Sequence, residues 1–512
     1  MIINCYGHRH RRSAGSPHFI PQSTAAIALA GVLNRQTADA VVHCEFASGP
    51  LRHLAPLESA DMLVLTGLNT AYDRMRQLSA YARHLNPGIP VVVGGPVARV
   101  LPSLCSRHFD IVCDGDTESL ADVIHDHFGP GYTSEHPVPR FDLMGRSMYN
   151  VGYIEGTRNC NFRCSFCSMA AEGRRFKPLD LDFIRAQLDA LDYRRCVIFQ
   201  DQNLYGGPRQ HFHQRMDLLQ EYYDRGRFGG WAGLITEDFF NKDENLERAR
   251  RSGCVGFYSG VETFSETQIA AFNKRQNLIL PQERLIRRCL EAGIAFNYGL
   301  VFDPYERTIA SLQDELDLIV NNPRITIPKF VSIAVPMLGS PLFRARLREG
   351  ALLPKLQLLD MDGAALTTRG IDDEHALAQL ARRLNHGPFK RLKLLRHAHG
   401  FARHYRRHMS GLAYAIGVAN SLTMAAPRRA SSHRDRHVPA ARRERVYHAS
   451  FAGVGDLYEP LIHLPEKYRT AFQPLHVTDA AGGLSKELWD DLGDSAPATR
   501  DDPHSDPAAR AV

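Results

Sequence analysis

The chain has 512 residues, of which 44% are apolar and 23% charged, with a formal net charge of +6. Proportions this close to globular averages exclude a disordered body or a fibrous repeat, and the length exceeds what one hydrophobic core can serve. No apolar run reaches the ~18 residues of a membrane span. Ala25 to Leu33 has its basic residues well upstream and runs into a strand and helix pattern, so it is not a signal-peptide core and a cytoplasmic location is expected.

From residue 1 to about 128, short β-branched runs alternate with helical stretches, as in Ile2 to Cys5, Asp61 to Leu65 and Pro90 to Val93. That is the pattern of an α/β doubly wound parallel sheet. A Gly- and Pro-containing stretch, 129–149, reads as a linker. The alternation resumes over 150–352, with strands expected around Tyr153–Ile154, Val197–Phe199, Trp231–Ile235, Gly256–Tyr258, Phe296–Val301 and Phe330–Val335. Six such units fit a partial parallel (β/α)6 barrel, because polar and glycine residues recur at strand C-terminal ends. Helices dominate 353–477. Sixteen Lys or Arg against two acids fall between Leu380 and Arg445, a local net charge of +14. Residues 478–512, rich in Asp, Ala, Gly and Pro, are expected to be largely disordered.

Ten cysteines are present, and seven of them (Cys5, Cys44, Cys105, Cys113, Cys196, Cys254 and Cys289) are scattered singly, as buried thiols are. The other three, Cys160, Cys164 and Cys167, lie within eight residues on a loop after the first barrel strand. Four thiolates complete an ordinary [4Fe–4S] site, so three with no fourth nearby leave one iron open to an outside ligand. Zinc usually wants a fourth Cys or His at short spacing, which Arg158, Asn159 and Ser168 cannot supply.

This spacing, with the aromatic Phe166 before the last cysteine, resembles the radical S-adenosylmethionine (SAM) superfamily. The resemblance covers roughly residues 150–345. It implies that SAM chelates the open iron of a [4Fe–4S] cluster and is cleaved reductively to a 5′-deoxyadenosyl radical, the electron coming from an external flavodoxin- or ferredoxin-type donor. It also implies SAM contacts from Phe166, from Asp201 after the second barrel strand, from Glu262 after the fourth as a ribose-binding acid, and from Gly299, Val301 and Val335 beside adenine. The plain alternatives are a turn-forming Asp201 and a solvated helix-start Glu262.

In the N-terminal region Thr66, Leu68, Gly94 and Gly95 end strands where open α/β sheets bind ligands. With Asp114-Gly115-Asp116-Thr117-Glu118 they resemble the cobalamin (B12)-binding-like Rossmann domains fused to many radical SAM enzymes. The Asp-x-His-x-x-Gly sequence of mutase-type cobalamin proteins is absent. Either the sheet binds cobalamin or it merely covers the barrel.

The resemblance implies a cobalamin-dependent methyltransferase acting on a small-molecule metabolite. The alternatives are a cyclase or rearrangement enzyme of the same architecture and a non-catalytic iron–sulfur or RNA-binding protein. No DNA partner is expected, and no catalytic residue beyond the cofactor ligands can be assigned. The basic C-terminal helices are either a solvated face or a surface for anionic lipid, an acidic substrate or RNA. Peripheral membrane contact is therefore one expectation for them.

Overall fold

In the computed structural model of the chain, residues 1–7, 24–145, 149–386, 391–409, 411–422, 424, 447–448 and 456–493 are described. Five of the β-branched runs, β1 (Ile2–Asn4), β2 (Val42–Cys44), β3 (Leu63–Thr66), β4 (Val91–Gly94) and β5 (Ile111–Cys113), form an all-parallel sheet ordered β2-β1-β3-β4-β5. Leu63, Leu65, Val91 and Val93 are fully buried, as strands covered on both faces must be. Helices α1 (Thr24–Gly31), α2 (Tyr72–Leu85) and α3 (Thr117–Phe128) follow strands of this sheet. The strand order reverses between β1 and β3, which opens a crevice at the strand C-terminal ends.

The second sheet is also all-parallel. It runs in the order of the chain through β6 (Val151–Ile154), β7 (Cys196–Phe199), β8 (Trp231–Ile235), β9 (Cys254–Glu262), β10 (Ala295–Phe302) and β11 (Phe330–Ile333). β6 and β11 form its two edges, so the sheet is a half-barrel with all six expected strands. Alternation along β10 assigns the faces. Tyr298, Leu300 and Phe302 are buried in the main core, whereas Asn297, Gly299 and Val301 point to the other face. Tyr258 of β9 and Phe330 of β11 stack across that face, 6.4 Å apart. Gly299 lies between them because a Cβ there would sit 2.5 Å from the Phe330 ring.

The C-terminal region adds α5 (Glu374–His386), α6 (Arg391–Tyr405) and α7 (Gly411–Leu422) to the barrel helix α4 (Ile309–Asn321). α6 packs on α4 and α7, and α7 in turn packs on β9 and β10, where the Asn420 amide donates to Asn297 Oδ1. The basic residues Lys390 and Arg428 to Arg445 lie outside the described residues, as does 494–512.

Residues 478–493 are ordered, contrary to the disordered tail expected from 478 onward. Leu484, Leu488 and Leu492, four residues apart, are each less than a tenth exposed. The Asp491 carboxylate accepts from the N–H groups of Ser103 (2.8 Å) and Leu104 (2.9 Å). Averaged composition hid this short apolar period. The preceding segment returns to the N-terminal sheet as well, for Tyr458 Oη donates to Asp73 (2.7 Å) and Arg76 donates to Thr470 O (3.2 Å). This cover explains the buried Asp73 and Arg76 of α2, whereas the buried Arg74 is paired with Glu45 (2.8 Å).

Candidate active site

The cysteine loop leaves β6 and is fastened from beneath by the residues after β7. The Gly156 N–H donates to Asp201 Oδ1 (2.9 Å), Thr157 Oγ1 donates to Asn203 O (3.0 Å), and Asn203 Nδ2 donates to Asn161 Oδ1 (2.7 Å). Asn159 turns the chain just before Cys160 with a left-handed backbone (φ 62°), which Asn tolerates better than most residues, and its Nδ2 donates to Arg175 O (3.0 Å). Two thiols accept hydrogen bonds, Cys160 from the Phe162 N–H (3.5 Å) and Cys164 from Gln276 Nε2 (3.6 Å). Burial pushes Cys167 up to about 11 and raises Cys160 as well, while Lys274 opposes both. Each of these two thiols also feels Cys164, so the three form one electrostatic group. Among the described residues no three His, Cys, Asp or Glu side chains close on a single metal ion. The donor set of three thiols and no fourth fits a cluster with one open iron.

Asp201, an expected SAM contact, is fully buried beneath this loop. Burial pushes its carboxyl up to about 7 against the opposing pull of the Gly156 N–H, Arg215 and Thr157. Arg215 is itself buried, and it donates to Gly156 O (3.0 Å) and Leu204 O (2.6 Å). Asp201 is thus placed to brace the loop. Because its folded value lies above the ~3.9 of a free aspartate, the folded state holds the proton more tightly. The resulting stability is full below about pH 4 and lost as pH rises through about 7. Asp201→Asn keeps an acceptor for the Gly156 N–H and cannot titrate. Its melting temperature is expected to fall less steeply than that of the parent between pH 5 and 8, and parallel curves would refute this assignment.

Glu262 ends β9 with a left-handed backbone (φ 62°), a strain of order 1–3 kcal/mol in a residue that is neither Gly nor Asn. Its Oε1 accepts from Lys274 Nζ at 2.6 Å, and both side chains are about nine-tenths buried. Gly260 has no room for a Cβ because Glu262 Oε1 and Lys274 Nζ occupy that space. Burial pulls the Lys274 ammonium down, but Glu262 and Cys164 together hold it above its ordinary value. Lys274 also stands 5.8 Å from the Phe166 ring centroid, and Phe166 rests on Phe272 (4.8 Å).

Lys274 therefore joins the cysteine loop to Glu262, a link for which the sequence offers no spacing signal. Glu237, after β8, was likewise not expected. Burial raises its carboxyl to about 8, Gln282 donates to its Oε2 (2.7 Å), and its Oε1 is buried without a partner. It is also within electrostatic reach of Lys274 and Glu262. Gly299 and Val301 lie on the same face of the half-barrel by register, and Val335 is buried just beyond β11.

Between the cysteine loop and the first sheet lies a cavity of about 240 Å³. Thr66, Gly94, Gly95 and Cys113 line it from the strand ends, and Asn159, Met169, Glu172 and Gln202 from the half-barrel side. Leu68, expected with them, is 58% exposed and is not in this lining. The Asp114 to Glu118 turn closes one side through arginines. Asp116 meets Arg99 (3.0 Å) and Arg174 (3.1 Å), and Arg158 meets Glu118 (2.7 Å). Arg99 also reaches Glu172 (2.8 Å), whose side chain is fully buried.

Two buried atoms here, Glu172 Oε1 and Arg99 Nε, have no partner. One is an acceptor and one a donor, so together they fit an amide-bearing ligand, as cobalamin is. Thr66 adds a hydroxyl beside Gly95. Thr66→Val is expected to weaken cobalamin retention only a few-fold, since one hydrogen bond is worth about 0.5–1.5 kcal/mol net. Equilibrium dialysis would measure it, and complete loss would show that Thr66 holds more than a hydrogen bond.

Comparison with known proteins agrees with this geometry. The Radical SAM superfamily profile matches residues 154–317. The hopanoid C-2 methylase of Rhodopseudomonas palustris (strain TIE-1) is 24% identical over 265 residues, 47% of this chain and 49% of that protein. The bacteriochlorophyllide d C-12(1)-methyltransferase of Chlorobaculum tepidum is 26% identical over 276 residues, 49% of this chain and 59% of its own. The chain thus spans about half the length of the curated relatives it matches. Among solved structures, the cobalamin-dependent SAM radical enzyme OxsB superposes with a TM-score of 0.55 at 14% identity, covering 83% of this chain and 75% of that one. The radical SAM methyltransferase TsrM from Kitasatospora setae, solved with cobalamin and a [4Fe–4S] cluster, gives 0.52 at 14% identity, covering 70% and 76%. Residues 154–317, which carry the three cysteines at the head of the parallel half-barrel, thus match the Radical SAM superfamily, and the chain as a whole has the fold of OxsB and TsrM.

Proposed function

We propose that the chain is a cobalamin-dependent radical SAM C-methyltransferase acting on a small-molecule metabolite in the cytoplasm, with an external flavodoxin- or ferredoxin-type protein as electron donor and no DNA partner. The observation that carries this reading is the cavity shared by the strand ends of the first sheet and the cysteine loop, with its unpartnered Glu172 Oε1 and Arg99 Nε. Its lining runs from the strand ends to Asn159, the residue before Cys160, which supports a site for an amide-rich cofactor close to one for a cluster. The relatives named for methyl transfer to carbon support it too.

When bound, the [4Fe–4S] cluster with SAM supplies a 5′-deoxyadenosyl radical able to take hydrogen from an unactivated carbon, and cobalamin supplies the methyl group. The chain does the holding and shielding. Cys160, Cys164 and Cys167 hold the cluster, and Asp201 and Asn203 fix the loop that carries them. Glu262 and Lys274 offer one carboxylate and one ammonium for the polar groups of SAM, with Gly299, Val301 and Val335 beside adenine. Thr66, Gly94 and Gly95 give cobalamin a close approach to the backbone, and the stacked Tyr258 and Phe330 keep water from the barrel face.

The test is anaerobic reconstitution with iron, sulfide and hydroxocobalamin, then incubation with SAM and a strong reductant. The expected result is cobalamin retained at about one per chain, with both S-adenosylhomocysteine and 5′-deoxyadenosine formed. A folded protein that rebuilds its cluster and takes up no cobalamin overturns the methyltransferase reading.

A further inference from the structure

We propose that the solvent face of α6 is a docking surface for an anionic lipid bilayer, which the enzyme binds from outside. The helix already has a complete core face, since Leu394, His397, Ala398, Phe401 and Tyr405 are buried. At about 100° per residue, Leu395 falls about 100° and Leu392 about 160° from Leu394, on the opposite side. These two leucines are 45% and 76% exposed. A helix that has satisfied its core and still shows leucines to solvent is built for a second apolar contact.

The charges around them identify that contact. Arg396, Arg403 and Arg406 share the exposed side with the leucines, and no described acidic group pairs with any of the three. Lys393 bonds to Asp317 of α4 at 3.0 Å, and the following residue, Leu318, is 55% exposed. In sequence, Leu380 to Arg445 carries a net charge of +14, with eight of its sixteen basic residues outside the described residues. Arginines alone would suit nucleic acid as well as lipid. Leucines between arginines favour lipid, because they enter the acyl boundary while the guanidinium groups stay among the phosphates. No helix among the described residues is long and apolar enough to cross a membrane, so contact through α6 is by surface attachment.

The purified chain would be sedimented with vesicles of phosphatidylglycerol and phosphatidylcholine, with pure phosphatidylcholine vesicles, and with the mixed vesicles plus a single-stranded RNA competitor. Binding is expected to the mixed vesicles alone, weakened by high salt and unaffected by RNA. Leu392→Asp with Leu395→Asp is expected to lower the bound fraction about tenfold or more without lowering the melting temperature, because exposed side chains support no core. Arg396→Gln with Arg403→Gln is expected to weaken binding about fivefold per arginine. The proposal is overturned by absence of vesicle binding, by equal binding of the leucine variant, or by RNA displacing the vesicles. A fall in melting temperature in the leucine variant overturns it too, since the chain itself would then cover those leucines.

Discussion

Replacing any one of Cys160, Cys164 or Cys167 with Ala is expected to abolish the roughly 400 nm absorbance of the reconstituted cluster and to reduce 5′-deoxyadenosine formation to background. Two thiolates cannot hold a four-iron cluster and still leave one defined open iron. The loop itself should survive, because its fastening runs through Gly156, Thr157, Asn159 and Asn161 rather than through the thiols. Unchanged far-ultraviolet circular dichroism and melting temperature would separate loss of the cluster from loss of the fold. The control lies in the scattered thiols. Cys254 and Cys289 are buried in the main core, so Cys254→Ser or Cys289→Ser is expected to cost about 1–3 kcal/mol of stability, typical of a polar atom placed in a core, with iron content unchanged. A Cys164→Ala protein that still cleaves SAM at a substantial rate would end the cluster assignment.

Gly94→Val is expected to remove bound cobalamin on gel filtration while leaving the cluster spectrum and reductant-dependent SAM cleavage nearly intact. Gly94 ends β4, where its backbone is ordinary strand, so a side chain is allowed by conformation. A Cβ built there meets only Cys113 O at 3.3 Å and Cys113 Cβ at 3.5 Å. The protein itself nearly tolerates it, and the added methyl groups extend into the cavity. Crowding a packed contact typically costs about 1–3 kcal/mol, or roughly five- to 150-fold in affinity. Gly95 is the less informative position. Its φ is 83°, and a Cβ would lie 2.7 Å from Thr66 Oγ1, so substitution there strains the protein before any ligand arrives. Full retention of cobalamin by Gly94→Val would place the cofactor elsewhere or remove it from the reading.

The sequence was legible wherever chemistry is local. Cys160, Cys164 and Cys167 could be read as a group because three thiols within eight residues can reach one object whatever the rest of the chain does. The six half-barrel strands were legible because short apolar and aromatic runs followed by turns form strands through neighbouring backbone preferences. The glycine pair after β4 was legible for the same reason.

Tertiary structure decided what depends on residues distant in the chain. Lys274, twelve residues from its partner Glu262, comes within electrostatic reach of Cys164 only because the segment after β9 folds back on the cysteine loop. Asp201 reads in sequence as a SAM contact, and only the fold shows that it also accepts from the Gly156 N–H beneath the loop, buried beside Arg215. Arg99 and Glu172 are 73 residues apart, and the cavity they line exists only between two sheets. Residues 478–493, too polar on average to suggest order, are held because three leucines join the main core and Asp491 accepts from residues nearly four hundred positions earlier. A short motif fixes its own chemistry. A buried charge takes its role from whichever partner the fold brings to it, since desolvation must be offset by a specific neighbour that spacing in one sequence does not reveal.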